Sequence, residues 1–316
     1  MRQDERARLA AGGTSERRPR LRCAVAALLA ACPALAFAHA AEAGRPALAW
    51  TFEPWVIALL ALSGGAYAVG VARLWSHAGA GRGLGARAAA AFACGWIVLV
   101  IALVSPVDAL GGHLFAAHMV QHELLMVVAA PLLVMGRPLA AWSWALPAGW
   151  RAPTGRFFHR PAWRAPWLVL TGALAAWLLH ALALWLWHVP AWFDAALAHP
   201  GMHTLQHLAF VVTALLFWWS VLGVVTRQDR AIALASLFTT MLHTGALGAL
   251  LALAPLPWYS AYAETTLAFG MTPLEDQQLG GLVMWVPAGV VYVGCALVLA
   301  AQLLGRRPLA RRAGTA

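Results

Sequence analysis

Seven apolar stretches of about twenty residues succeed one another along this chain, near 55–73, 86–104, 114–135, 167–187, 203–222, 231–253 and 282–304. A helix of that length spans the ~30 Å hydrocarbon core of a bilayer. No water is present there to pair with backbone N–H and C=O groups, so each span must satisfy its own. The predicted fold is therefore all-α: a polytopic membrane helix bundle of about seven transmembrane helices after an N-terminal signal-like segment. Composition agrees, because 62% of residues are hydrophobic and only 11% charged, against about 25% charged in soluble domains.

The net charge of +10 has the same origin. Every basic side chain is an arginine, and the arginines sit in alternate connections. One set holds Arg73, Arg82 and Arg87, then Arg137, Arg151, Arg156, Arg160 and Arg164, then Arg227 and Arg230, then Arg306, Arg307, Arg311 and Arg312. The other set, 105–113, 188–202 and 254–281, holds none. The positive-inside bias places the first set in the cytoplasm and the second outside, with a periplasmic mature N-terminus and a cytoplasmic C-terminus. For a bacterial chain this is a multi-pass protein of the inner (plasma) membrane, in contact with lipid. No stacking platform or recognition module accompanies the arginines, so nucleic acid is not an expected partner.

Residues 1–38 read as a signal peptide or an extra N-terminal span, with a basic start, an apolar run from Cys23 and a small-residue close at Ala36-Phe37-Ala38. Residues 39–305 form the seven-helix transmembrane domain, and 306–316 a cytoplasmic tail. Cys23, Cys32, Cys94 and Cys295 make no CxxC pair, which argues against thiolate metal chemistry. No HExxH or GxSxG motif occurs, and the chain is not expected to be an enzyme.

Histidines carry the chemical signal. His118 and His122 open the third span four residues apart, with Met126 a further four on; His203 and His207 open the fifth. Residues four apart share a helix face. Imidazole is costly in hydrocarbon without a partner and is the commonest transition-metal ligand. Two histidines and a thioether on one stripe favour a soft or borderline metal, copper over magnesium or calcium. His199 precedes Pro200-Gly201, where a helix breaks, and counts as accessory. His188 ends the fourth span and His243 lies deeper in the sixth; both are candidates to complete the ligand set. His180 is deeper still and lacks companions. Asp276, at the start of the last span, is a candidate to orient a histidine or admit the ion.

Read together, these segments resemble the CtaG family of polytopic cytochrome c oxidase (caa-type) assembly factors. The resemblance rests on His118-Met119-Val120-Gln121-His122 followed by Ala130-Pro131-Leu132-Leu133-Val134-Met135-Gly136-Arg137-Pro138, on Trp187-His188-Val189-Pro190 with Asp194-Ala195-Ala196-Leu197, and on His203-Thr204-Leu205-Gln206-His207 leading to Phe217-Trp218-Trp219. The closing Asp276-Gln277-Gln278-Leu279-Gly280-Gly281-Leu282-Val283-Met284-Trp285 is its most distinctive string. Gln206 stands where many relatives are expected to carry an acid. The resemblance implies a seven-span protein that matures the oxidase, with oxidase subunits and a periplasmic copper chaperone as partners. The expected cargo is copper, as Cu(I), held at the outer side. Two alternatives stay open. Histidines from facing helices could ligate a b-type haem, or could line the path of a metal transporter with His180 and His243 as its only deep steps.

Overall fold

A computed structural model of the chain describes residues 49–223 and 226–304. The signal-like segment 1–38 and the tail 306–316 lie outside the described residues. Among the described residues every regular element is helical. Six helices are long and apolar enough to cross a membrane: α1 (Pro54–Ala78), α2 (Ala86–Val104), the run Phe115–Met135, α11 (Pro200–Leu222), α12 (Arg227–Ala252) and α13 (Pro273–Leu304). Shorter helices fill the connections: α3 (Pro106–Gly111), α6 (Pro138–Ala145), α7 (Ala148–Phe158) and α10 (Pro190–Ala198).

The fourth apolar stretch departs from the straight span that its hydropathy predicts. It divides between α8 (Pro161–Leu170) and α9 (Ala173–Trp187), which meet at 64° and form a seventh span if taken together. The break falls at Thr171 and Gly172, where Gly172 takes an extended conformation and starts α9 anew. Hydropathy averages over such a break and does not register it. The last helix, conversely, starts at Pro273, well before the apolar run at 282.

The run Phe115–Met135 contains a π-helical stretch. α4 (Phe115–Glu123) passes into a wider turn over Leu124–Ala129 and then into α5 (Ala130–Met135). In that turn the Ala130 N–H reaches the Leu125 carbonyl, five residues back. The donor due to the Met126 carbonyl is then residue 131, a proline with no N–H. Trp218, on α11, fills the vacancy: its indole N–H donates to the Met126 carbonyl at 2.8 Å. Trp218 is wholly buried and stacks on Tyr292 of α13, ring centroids 5.9 Å apart. Phe210, Phe217, Leu125 and Leu237 pack around it in the largest apolar core. A π-turn caused by proline is thus tied to the bundle centre by one side-chain hydrogen bond.

Small residues set a close crossing between the last two helices. A Cβ on Gly281 of α13 would fall 2.5 Å from the Ala252 nitrogen and 2.6 Å from the Gly248 oxygen of α12. The two backbones touch there, the means by which membrane helices gain contact area without a hydrophobic drive between them.

Two stability outcomes are expected. Trp218→Phe strands the Met126 carbonyl and should cost about 1–3 kcal/mol. In a Pro131→Ala background, where residue 131 regains an N–H, the same change should cost clearly less. Thermal unfolding of the four proteins in detergent gives the coupling; an additive result would contradict the assignment.

Candidate metal centre

The arginine-free connections come together at one end of the bundle. Tyr262 donates its hydroxyl to the Gly111 carbonyl (2.8 Å), Thr265 to His113 (2.8 Å), and Tyr259 to the His188 carbonyl (3.0 Å). Asp194 of α10 accepts from the Ser260 hydroxyl at 2.7 Å and from its backbone N–H at 3.2 Å. Phe115, Phe193, Tyr259 and Tyr262 form a buried aromatic roof, with Phe115 stacked on Tyr259 at 4.8 Å and Phe193 against it at 4.3 Å. Burial pushes both phenols well above their ordinary pKa, with Asp194 adding to the shift at each and Asp276 at Tyr262, so they remain donors.

Beneath this roof lie five of the eight residues that the sequence singles out as ligands or their helpers. α4 presents His118 and His122, with ring centroids 4.3 Å apart, and α11 presents His203 and His207 at 4.2 Å. The two stripes face each other: His118 is 5.4 Å from His203 and 5.9 Å from His207, and His122 is 5.5 Å from His207. His188, which ends α9, lies 6.1 Å from His122. One ligand atom each from His118, His203 and His207 lies within 4.8 Å of the others. Bonds of about 2 Å to a shared ion would draw them in by small side-chain rotations.

Hydrogen bonds fix which nitrogen of each imidazole is free. His188 Nδ1 lies 2.7 Å from the Leu184 carbonyl, and His118 Nδ1 3.3 Å from the Gly111 carbonyl. A carbonyl only accepts, so in both rings Nδ1 carries the proton. The Nε2 atoms are then bare lone pairs, and both are buried without a partner. His203 Nε2, His207 Nε2 and both nitrogens of His122 are likewise buried and unpartnered, as is the Gln206 amide. Native proteins seldom leave so many polar atoms unpaired in one place. A carbonyl orienting one ring nitrogen while the other stays bare is the arrangement that supports metal-ligating histidines.

The remaining expected residues lie elsewhere. Asp276 is fully buried, and both its carboxylate oxygens accept backbone N–H groups, from Phe115 at 2.6 Å and Ala116 at 3.0 Å. It therefore caps α4 immediately before His118 and aligns the helix that carries two of the histidines. Met126 packs in the apolar core with Phe210 and Trp218. His243 stands beside Trp177, centroids 5.7 Å apart, in a separate polar group with His180. His199 precedes α11 as its extended N-cap, in keeping with the expected break.

Several contributors carry no motif. Tyr262, whose oxygen also lies 3.3 Å from His118 Nδ1, and the Leu184 carbonyl are recognisable only once the loops are folded. A further polar chain joins Thr51 to Asp108 (2.7 Å), Asp108 to Gln121 (2.6 Å) and Gln121 to the Ala102 carbonyl (2.8 Å), bracing α4 against the end of α2. His203 alone of the five histidines is only partly buried, and Asp108 and Glu53 lie within electrostatic reach of it.

Fold and site together define a multi-pass helical membrane protein with a buried histidine cluster under one end of its bundle. The family model described as cytochrome c oxidase caa3 assembly factor (Caa3_CtaG) matches residues 65–306, and the chain belongs to that family. Comparisons with curated proteins and with solved structures give no match.

Because Asp276 holds α4 through two charge-assisted hydrogen bonds, Asp276→Ala should destabilise the protein by about 1–3 kcal/mol. Asp276→Asn, which keeps one acceptor oxygen, should lose noticeably less. Melting curves of the two variants in the same detergent check this order; equal losses would remove the capping role.

Proposed function

We propose that this assembly factor binds Cu(I) in the cluster formed by His118, His122, His203, His207 and His188, and holds it for maturation of the oxidase. The observation that carries this reading is the convergence of unpartnered imidazole nitrogens from three helices, two of them on rings whose tautomer a carbonyl fixes. Donor type and charge argue for the oxidation state. No carboxylate joins the group of ligand atoms from His118, His203 and His207 that lie within 4.8 Å of one another, and Asp276 is committed to α4. Placing a cation there carries a desolvation penalty that rises steeply with charge, so a monovalent ion is favoured over Zn²⁺ or Cu²⁺. Neutral imidazoles suit a copper ion of that kind.

The distribution of arginines orients the cluster toward the periplasmic side of a bacterial inner membrane, with the C-terminus in the cytoplasm. Oxidase subunits, and a periplasmic copper chaperone on the supply side, are the partners this topology fits. The b-type haem reading is less well supported. A haem ligated on both faces needs a porphyrin-sized slot between its histidines, whereas these rings lie 4.2–5.9 Å apart within and between the stripes. His122 is also packed against Phe210 at 4.6 Å.

Purified protein, titrated anaerobically with Cu(I) against a chromogenic chelator, should hold the ion in preference to Zn²⁺. The His122→Ala/His207→Ala double variant should bind it at least roughly a hundredfold more weakly, on the scale of losing two imidazole bonds. A strain carrying that variant should assemble oxidase deficient in copper and activity. Normal copper content and activity in that strain would overturn the proposal.

A further inference from the structure

The two spans that carry the histidine stripes border, at their other ends, a cavity of about 730 Å³. That is within the range of about 300–1,000 Å³ usual for ligand sites. Ala91 of α2, Met135 of α5, Leu139 of α6 and Leu222 of α11 are among the apolar side chains of its wall, and Arg87 and Arg137 line it with them. Met135, Leu139 and Leu222 are exposed, so this wall is open on the flank of the bundle.

Arg137 holds a backbone conformation ordinarily left to glycine, with φ and ψ both 53°. Among the described residues it is the one non-glycine with positive φ. Pro138 follows it, and a proline steers the residue before it toward extended forms instead. The surroundings impose the turn. Tyr67 donates its hydroxyl to the Gly136 carbonyl at 2.8 Å, and the Arg137 N–H donates to the Val134 carbonyl at 3.0 Å. Gly136 lies so close to α2 that a Cβ on it would fall 2.5 Å from the Phe92 Cβ. Arg87 stands five residues before Phe92, about 7.5 Å along the helix axis. A glycine at 137 would make this turn with less strain, so what arginine adds there is its side chain.

That side chain has nothing to bind within the protein. The guanidinium groups of Arg87 and Arg137 make no hydrogen bond, ion pair or ring contact among the described residues. Other arginines of the same connections are engaged: Arg73 and Arg151 donate to the Leu146 carbonyl, and Arg151 and Arg160 lie over aromatic rings. Two unpaired cations on an otherwise apolar cavity call for an anion with a hydrocarbon part.

We propose that this cavity binds one anionic phospholipid, its phosphate taken by Arg87 and Arg137 and an acyl chain laid along Ala91, Met135 and Leu222. This end of the bundle carries the arginines, which the positive-inside bias assigns to the cytoplasm. Anionic lipid is recognised on that side by basic pockets between helices. A zwitterionic lipid offers the same phosphate but brings a cation toward two that are already unpaired. The bound lipid would fasten the turn between α5 and α6 to α2, at the base of the span that carries His118 and His122. Nothing in the proposal depends on copper.

Thermal unfolding and native mass spectrometry test it on the full chain, in detergent micelles doped with phosphatidylglycerol, phosphatidylethanolamine or phosphatidylcholine. Phosphatidylglycerol should raise the melting temperature more than the other two and be retained as one molecule per chain. Arg87→Ala/Arg137→Ala should weaken that retention roughly tenfold or more, on the scale of two arginines at an anionic surface. Arg137→Gly keeps the turn and removes only the side chain. It should melt no lower than the parent in phosphatidylcholine yet lose most of the phosphatidylglycerol shift, which separates lost binding from misfolding. Arg156→Ala/Arg164→Ala, in the same connection but off the cavity, should leave shift and retention unchanged. An equal shift from phosphatidylcholine, or a phosphatidylglycerol shift that survives in Arg137→Gly, would overturn the proposal. An equal loss in Arg156→Ala/Arg164→Ala would do so too, by reducing the effect to general surface charge. A shift reproduced by inorganic phosphate would assign the arginines to a free anion, and a stable dimer retaining no lipid would assign the cavity to a second copy; either overturns it.

Discussion

Inside a bilayer, a polar group that the protein does not pair stays unpaired, and that constraint organises this molecule from backbone to site. It acts first on the main chain. Pro131 removes one N–H from the third span, the helix widens into a π-turn, and the Met126 carbonyl is left to the Trp218 indole. It acts again on the histidines. An imidazole brings two nitrogens into the membrane. At His118 and His188 one of them is paired with an oxygen that accepts, so the other is left bare in a known protonation state. The same rule that makes the bundle self-sufficient thereby produces lone pairs with nothing to bond.

The outer cluster depends on elements distant in sequence. Asp276 of the last helix caps α4, Tyr262 of the final loop reaches Gly111 and His118, and Tyr259 holds the residue that ends α9. Asp194 fastens that loop from α10. These bonds run between the arginine-free connections, so the end of the bundle farthest from the arginines is also its most cross-linked. A site assembled from α4, α9 and α11 needs that cross-linking, since no single helix carries more than two of its imidazoles.

Much of this was legible in the chain itself. Hydropathy located the spans, the four-residue spacing of His118/His122 and His203/His207 predicted two stripes, and Pro200 marked the start of α11 after His199. Arginine alternation assigned both stripes to one end, and the connections that lack arginine do meet there. Other features were not legible, for physical reasons. The bend at Thr171–Gly172 is a backbone event inside an apolar stretch, and averaging hydropathy hides it. Facing is a tertiary property: His243 has the same residue type as the ligands, yet it stands beside Trp177 rather than in the cluster. Asp276 reads as an acid at a helix start and would ordinarily serve its own helix, whereas it caps another. Tautomers depend on carbonyls such as those of Leu184 and Gly111, which no residue letter reports.

Charge and depth together explain why such a site can be buried at all. The converging ligand atoms are all histidine nitrogens, so with neutral imidazoles the cluster is tolerated under the aromatic roof at the expense of unpaired lone pairs. Acidic side chains are present, but at the rim, where Glu53 and Asp108 lie near the half-buried His203. A cation approaching from that side meets negative charge before it meets its ligands, which favours its arrival. Bound as proposed, it would be held by neutral donors, without the Coulombic trap that carboxylate ligands would create. Strong attraction at the rim and modest attraction at the centre is the distribution that the proposed receipt and release of an ion would call for.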